Sequence, residues 1–213
     1  PGVDVSLGDL VRISGNVEES FGLTRLTRVN VQICESGGDL PEPTELFLPV
    51  NTPEDFEAYE GMYVTFPDAL VISEYFNFDR FGEIVLTSER QYQPTAVVEP
   101  GDAGDIAEAN ELDRILLDDG RSASNPDPAR HPNGLEFDLN NRFRGGDLLQ
   151  DVIGVMSYGF GSYRIQPTAG AEYIEDNFRP DQPADVGGEI TVASFNVLNY
   201  FNTIDDGTGI CGP

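Results

Sequence analysis

The side chains with the clearest capacity for chemistry lie in a polar loop in the second half of the chain. Four oxygen-bearing residues occur there within a short stretch: Asp118, Asp119, Asn125 and Asp127. Carboxylate and amide oxygens are the ligands that Ca²⁺ prefers, so the loop is a candidate cation site. The spacing does not match the calcium loop of an EF-hand, however, and a solvated β-turn is the favoured interpretation.

Few other residues are of types that support catalysis. The chain has one histidine, His131, and its polar surroundings favour an ordinary surface residue over a phosphate or metal contact. It has two cysteines, Cys34 and Cys211, which could pair with each other, or Cys211 could pair with a residue beyond position 213. No nucleophile–base constellation is evident, which argues against an independent metal-dependent esterase built on the Asp-rich loop.

A second kind of site combines aromatic rings with arginines. Aromatic side chains can stack on bases and arginines can contact phosphates, as in proteins that bind single-stranded nucleic acid. The alternative is that these rings only pack the core and the hairpins. The candidates for nucleic-acid binding are Arg80, Phe81, Tyr158, Phe160, Tyr163 and Arg164.

Charge is the strongest feature of the composition. The 213 residues contain 38 acidic and 12 basic residues, a formal net charge of −26, and every basic residue is arginine. Such a charge destabilises a compact state by self-repulsion unless salt screens it. The composition therefore favours adaptation to salt, with an acidic surface in ordinary conditions as the alternative. A broad basic face is excluded, so we expect any binding to a polyphosphate to be weak.

Short, turn-bounded runs of β-branched and apolar residues predict an all-β fold with one or two short helices, at Pro53–Tyr59 and near Ala103–Asn110. Three Phe-Gly pairs each follow a Gly-led strand and precede another strand, which favours coiled antiparallel hairpins. Curved hairpins of this kind close into small barrels of the OB-fold type. The alternative is that Phe-Gly is simply common in turns. The three pairs are Phe21-Gly22, Phe81-Gly82 and Phe160-Gly161.

Pro- and Gly-rich stretches predict the domain organisation. We expect a first OB-fold-like region over residues 1–99 and a second β portion over 100–176 that completes or extends the barrel. Residues 177–188 are the predicted linker, and 189–213 the start of another domain. No apolar run is long enough for a transmembrane helix, and the first residues do not have the pattern of a signal peptide.

The segment Val-Ala-Ser-Phe-Asn-Val-Leu-Asn-Tyr-Phe, residues 192–201, resembles the opening strand of the DNase-I-like endonuclease/exonuclease/phosphatase domain of secreted bacterial nucleases. In that family the asparagine at the position of Asn196 lies in the active site, near the scissile phosphate and its metal. Upstream segments resemble the OB-fold-like region that precedes this domain. They are residues 92–95, 116–120, 125–128 and 163–168.

The resemblance implies a secreted, extracellular parent that hydrolyses phosphodiester bonds of DNA or RNA with Mg²⁺ or Ca²⁺. The family's remaining metal-binding and catalytic residues would follow residue 213, so we expect no catalysis and no cofactor in these residues. The leading hypothesis is a non-catalytic, nucleic-acid-binding accessory region that acts beside a C-terminal nuclease domain. The alternative is a structural spacer that binds no nucleic acid. A local patch of arginines and aromatic rings within the acidic surface would favour the first hypothesis.

Overall fold

The computed structural model describes residues 3–190 and 192–194. The chain divides into two compact units, Pro1–Phe178 and Arg179–Pro213, at a point within the predicted linker 177–188. The described residues of the second unit contain no helix or strand. Asn196, Cys211 and most of the strand predicted from Ile190 lie outside the described residues.

The first unit is mostly sheet with a few short helices, which confirms the predicted all-β class. Its strands are β1 (Leu10–Ser20), β2 (Leu23–Glu35), β3 (Thr44–Glu45), β4 (Tyr63–Phe66), β5 (Leu70–Glu74), β6 (Ile84–Thr87), β7 (Ile115–Leu117), β8 (Leu148–Gln150), β9 (Val152–Gly159), β10 (Ser162–Pro167) and β11 (Glu172–Ile174). Its α-helices are α1 (Phe78–Phe81), α2 (Pro94–Val97) and α3 (Ala103–Leu112), and 3₁₀ turns span Pro53–Tyr59 and Pro100–Asp102.

Nine strands form one sheet in the order β11-β8-β5-β6-β7-β10-β9-β4-β3, which is mostly antiparallel. Strands β7 and β10 run parallel, as do β3 and β4. The order has two ends, so the sheet is open and the described strands form no closed barrel. The expected regions 1–99 and 100–176 share this one sheet, because β6 pairs with β7.

One kinked segment links the two halves of the sheet. Only Asp151, whose φ is 56°, separates β8 from β9. Strand β8 pairs with β5, whereas β9 pairs with β4 and β10. Strands β5, β6, β7, β10 and β9 are therefore paired in that order. The chain of β9 continues back through Asp151 into β8, and β8 is paired with the first of these strands, β5.

The core lies on one face of these strands because their buried residues alternate. Val152, Gly154 and Met156 point inward from β9, while the residues between them are partly exposed. All four residues of β6 are buried, and Ile84 and Leu86 belong to the core. Other large side chains that are almost fully buried are Val64, Phe66, Leu70, Ile72, Leu149 and Ile165.

Strands β1 and β2 form a separate two-stranded sheet. The sequence predicts half-buried strands here, but this is wrong for residues such as Ile13 and Val17, which are exposed. Within the described residues no second layer covers either face of the hairpin. It is held beside the larger sheet near its turn, where the Thr24 N–H donates to Glu60 Oε2 at 3.0 Å.

The three Phe-Gly pairs have two different structural roles. Phe21-Gly22 and Phe160-Gly161 are two-residue hairpin turns with positive φ at both positions, the geometry that fits the twist of the flanking strands. Gly82 instead ends α1 in the left-handed conformation, with its N–H bonded to the Phe78 carbonyl. Two of the three pairs therefore form tight hairpin turns, whereas the third ends a short helix in the longer connection between the antiparallel strands β5 and β6.

Candidate nucleic-acid interface

A groove of about 540 Å³ lies on the face of β6 and β7 that points away from the core. Glu83, which directly precedes β6, Val85 of β6 and Leu116 of β7 form its floor, because they alternate with the core residues Ile84, Leu86, Ile115 and Leu117. The loop between β5 and β6 forms one wall, and the turn between β9 and β10 forms another. We call this feature the Phe81–Phe160 groove after its two most prominent rings.

Two exposed aromatic rings line the groove, each with an arginine against its face. Phe81 is 38% exposed and the Arg80 guanidinium carbon lies 5.0 Å from the ring centroid. Phe160 is 100% exposed and Arg164 lies 5.8 Å from its centroid. Rings that are exposed in this way are available for stacking. The Phe160-Gly161 turn holds the Phe160 ring at the surface.

The groove carries as many arginines as carboxylates. Arg114, Arg121 and Arg164 line it together with Glu74, Glu83 and Asp118. Arg121 donates to the Pro128 carbonyl at 2.7 Å, and neither it nor Arg80 forms an ion pair with a described carboxylate. In a chain with a net charge of −26, this surface is locally close to neutral.

Arg164 has a structural role that the sequence analysis did not anticipate. Its Nη1 lies 2.6 Å from Glu83 Oε1 and 3.0 Å from Asp118 Oδ2, and its Nη2 donates to the Gly159 carbonyl at 2.8 Å. The side chain is buried, so its charge is balanced by two carboxylates and is not free to neutralise a phosphate. It connects β6, the end of β7 and the turn that carries Phe160.

Tyr158 and Tyr163 do not join the groove. Their rings lie 4.7 Å apart between centroids, and Tyr163 also packs at 5.7 Å against Phe56 of the 3₁₀ turn. Burial, with further contributions from Glu57, Glu60, Tyr158 and Glu54, raises the pKa of Tyr163 to about 12. Packing and acidic surroundings both disfavour base stacking and phosphate contact there.

The four oxygen-bearing residues predicted as a cation site are placed differently from one another. Asp118 is paired with Arg164, and Asp119 is buried and accepts the Arg121 N–H at 2.9 Å. Asn125 and Asp127 lie exposed in the following loop. Among residues 3–190 and 192–194, no three His, Cys, Asp or Glu side chains are grouped so as to hold a metal ion.

His131 is fully buried, so the expectation of a surface residue is wrong. Its ring packs against Tyr173 at 4.9 Å, Phe143 at 5.6 Å and Phe137 at 6.4 Å between centroids. Burial lowers its pKa below 6.5. The long irregular segment between β7 and β8 therefore contributes buried aromatic rings to the main core, which local sequence did not reveal.

A protein-family model matches residues 35–176, from the last residue of β2 to the residues that follow β11. The family is described as a domain of unknown function, DUF8508. The chain belongs to this family. Comparison with curated proteins and comparison with solved structures found no match. The DUF8508 domain contains every residue that lines the Phe81–Phe160 groove, whereas β1 and nearly all of β2 precede it.

The sequence analysis missed two groove arginines of the DUF8508 domain, Arg114 and Arg121. Arg114 directly precedes β7 and forms ion pairs with Glu111 at 2.9 Å and Glu74 at 3.7 Å. Arg121 directly follows the Asp-rich turn, where the acidic residues suggested only a cation site. Alternation along β7 could have indicated Arg114, because it shares a face with Leu116.

No described helix is both long and apolar enough to cross a membrane.

Proposed function

We propose that the DUF8508 domain binds single-stranded DNA or RNA in the Phe81–Phe160 groove, as a non-catalytic accessory region of a secreted, metal-dependent nuclease. The observation that carries the proposal is the groove itself: two exposed rings and several arginines on a nearly neutral surface of a strongly acidic chain. Stacking on such rings does not depend on base identity, so we expect little sequence preference.

The order of strand pairing supports this proposal. If β8 and β9 are counted as one segment that bends at Asp151, the order β5-β6-β7-β10-β9 is similar to the five-stranded Greek-key order of a partly open OB-fold barrel. OB-folds bind oligonucleotides on the face of their second and third strands, between the loop that joins strands 1 and 2 and the loop that joins strands 4 and 5. In this chain those features are β6, β7, residues 75–83 and the Phe160-Gly161 turn, and all of them contribute to the groove.

The nuclease part of the proposal rests on the resemblance of residues 192–201 to the first strand of a DNase-I-like domain. Asn196 would contact the scissile phosphate or its metal in the parent protein, which would use Mg²⁺ or Ca²⁺. One asparagine cannot generate a nucleophile, so we expect no hydrolysis by the 213 residues alone. Nicking of plasmid DNA by these residues in the presence of either metal would contradict this part of the proposal.

Fluorescence anisotropy with labelled oligo(dT) and oligo(rU) of about 15 nucleotides tests the binding. Because stacking contributes about 1–3 kcal/mol per base, Phe160→Ala and Phe81→Ala should each weaken binding by roughly 5- to 100-fold. Phe21→Ala is the matched control, since Phe21 is 98% exposed, occupies the same kind of Phe-Gly hairpin turn and does not line the groove. Titrations need moderate salt, so that the acidic chain stays folded.

The result decides between the accessory region and the structural spacer. Weaker binding in both groove variants, with Phe21→Ala unchanged, would support the groove as the binding site. Absence of binding at millimolar protein, or equal binding by all three variants, would refute it and leave the spacer. Preference for duplex over single strands would contradict the stacking argument.

A further inference from the structure

A second cavity, of about 220 Å³, lies on the core side of β6 and β7. It is formed where the start of β6, the residues that follow β7, the loop around His131 and the segment after β10 meet. Ile84 and Leu117, which belong to the core, form part of its apolar wall. We call it the inner cavity.

Asp119 presents an unsatisfied acceptor to this cavity. The residue is only 4% exposed, and its Oδ1 accepts the Arg121 N–H at 2.9 Å. Its Oδ2 is buried and has no hydrogen-bond partner among the described residues. A buried carboxylate oxygen without a donor is costly, and burial accordingly raises the pKa of Asp119. Arg130 also lines the cavity, but its Nη1 donates to the Asp119 carbonyl at 3.3 Å, so Oδ2 still has no donor among the described residues.

Two further polar groups line the same cavity. Thr168 Oγ1 is buried without a partner and can donate or accept. His131 Nδ1 accepts the Asn133 N–H at 3.1 Å, so the neutral ring carries its hydrogen on Nε2. That Nε2 lies near the Arg142 carbonyl but has no acceptor in hydrogen-bond geometry. Because Arg142 does not line the cavity, a ligand would meet Asp119 Oδ2 as the acceptor and the Thr168 hydroxyl as a group that can donate.

We propose that the inner cavity binds a small neutral molecule that carries an N–H donor beside an oxygen or ring-nitrogen acceptor. This is the hydrogen-bonding pattern of a nucleobase edge and of a primary carboxamide. Arg130 and Asp119 place opposite charges in the lining, so a neutral molecule with both functions fits better than a simple cation or a simple anion. The volume equals that of about seven waters, which restricts the occupant to a few heavy atoms or one small ring.

The inner cavity is distinct from the Phe81–Phe160 groove, although Asp118 lines both. Ile84 and Leu117 line the cavity, whereas their neighbours Glu83 and Leu116 line the groove, so the two features lie on opposite faces of the same strands. Failure of oligonucleotide binding in the groove would therefore leave the cavity proposal standing, and the reverse is also true.

Two-dimensional ¹H–¹⁵N NMR of the full 213-residue chain tests the proposal with cytosine and acetamide as probes. Both carry the donor and the acceptor, and the comparison between them distinguishes a nucleobase from a carboxamide as the source. N,N-dimethylacetamide has the acceptor but no N–H and is the control. Saturable shifts confined to amides that line the cavity, such as Gly82, Gly134 and Gly170, are expected with at least one of the two probes.

Variants then connect the binding to the named groups. Asp119→Asn removes the charged acceptor and should weaken binding about tenfold, and Thr168→Val should weaken it several-fold. Asp127→Asn is the matched control, because Asp127 is exposed in the same loop and does not line the cavity. If Asp119→Asn does not fold, Thr168→Val and the dimethylated control still test the proposal. Absence of localised shifts with both probes, or equal binding of N,N-dimethylacetamide, would mean that only water occupies the cavity and would overturn it.

Discussion

Replacement of Arg164 by methionine should destabilise the first unit far more than the loss of an ordinary ion pair. The side chains of Arg164, Glu83 and Asp118 are only 8%, 11% and 10% exposed. Arg164→Met keeps most of the side-chain volume but leaves both carboxylates buried without their cation. Breaking a buried pair in this way costs about 3–5 kcal/mol, because the remaining charge is uncompensated. In a unit of this size that corresponds to a Tm about 6–20 °C lower.

The assay is urea unfolding at about 1 M salt, which screens the general repulsion of the acidic chain. Arg25→Met is the matched control: Arg25 lies 3.1 Å from Glu18, but both side chains are about half exposed. An exposed pair of this kind contributes about 0–1 kcal/mol. Equal slopes of free energy against urea in wild type and variants would show that the comparison concerns stability rather than a change of the unfolded state.

A triple variant tests the reason for the loss. If unpaired charge is responsible, Arg164→Met combined with Glu83→Gln and Asp118→Asn should be more stable than Arg164→Met alone. The reasoning would be refuted by a loss below about 1 kcal/mol for Arg164→Met, or by a triple variant that is no more stable than the single one.

Two further predictions concern stability. Burial holds the pKa of His131 below its unfolded value of 6.5. The neutral ring therefore stabilises the folded state above pH 6.5, and this contribution is lost as the pH falls toward the folded pKa. His131 is the only histidine, so His131→Gln should flatten the dependence of unfolding free energy on pH between pH 7.5 and 5.5, and an unchanged slope would contradict this. Gly154→Ala should cost about 3 kcal/mol or more by thermal melts, because the added Cβ would overlap the Gln166 carbonyl of the adjacent strand. Gly104→Ala, in an open position of α3, should instead stabilise by about 0.5–1 kcal/mol, and similar effects of the two substitutions would argue against the overlap.

The elements that could be predicted from the sequence are those whose cause is local. Thr52 before Pro53, with acidic residues in the first turn, marks the start of the 3₁₀ turn, and Asp55 accepts the N–H of Thr52 at 3.2 Å. The Phe-Gly pairs mark positive φ wherever they occur. Whether such a pair forms a hairpin or ends a helix depends on the pairing of the strands around it, and that information is not local.

The candidate site was predictable only in part, because charge partners in a folded chain come from distant positions. Arg164 finds Glu83 and Asp118 across 81 and 46 positions, so its neighbours in sequence do not show that its charge is already balanced. His131 is surrounded in sequence by polar residues and buried by aromatic rings from other segments. Phe81 and Phe160 could be named as candidates because each precedes a glycine, but only Phe160 lies in a two-residue turn, whereas Phe81 is the last residue of α1.

The arginines of the groove consequently divide into two groups with different physical roles. Arg164 is buried with two carboxylates and holds the turn that presents Phe160, so it acts on the groove through structure. Arg114 is likewise paired, with Glu111 and Glu74, whereas Arg80 and Arg121 have no ion-pair partner among the described residues and remain available to a ligand. In an acidic chain, positive charge can attract a phosphate only where no carboxylate has already balanced it. The free arginines, together with the rings of Phe81 and Phe160, therefore determine whether this surface can bind a nucleic-acid strand.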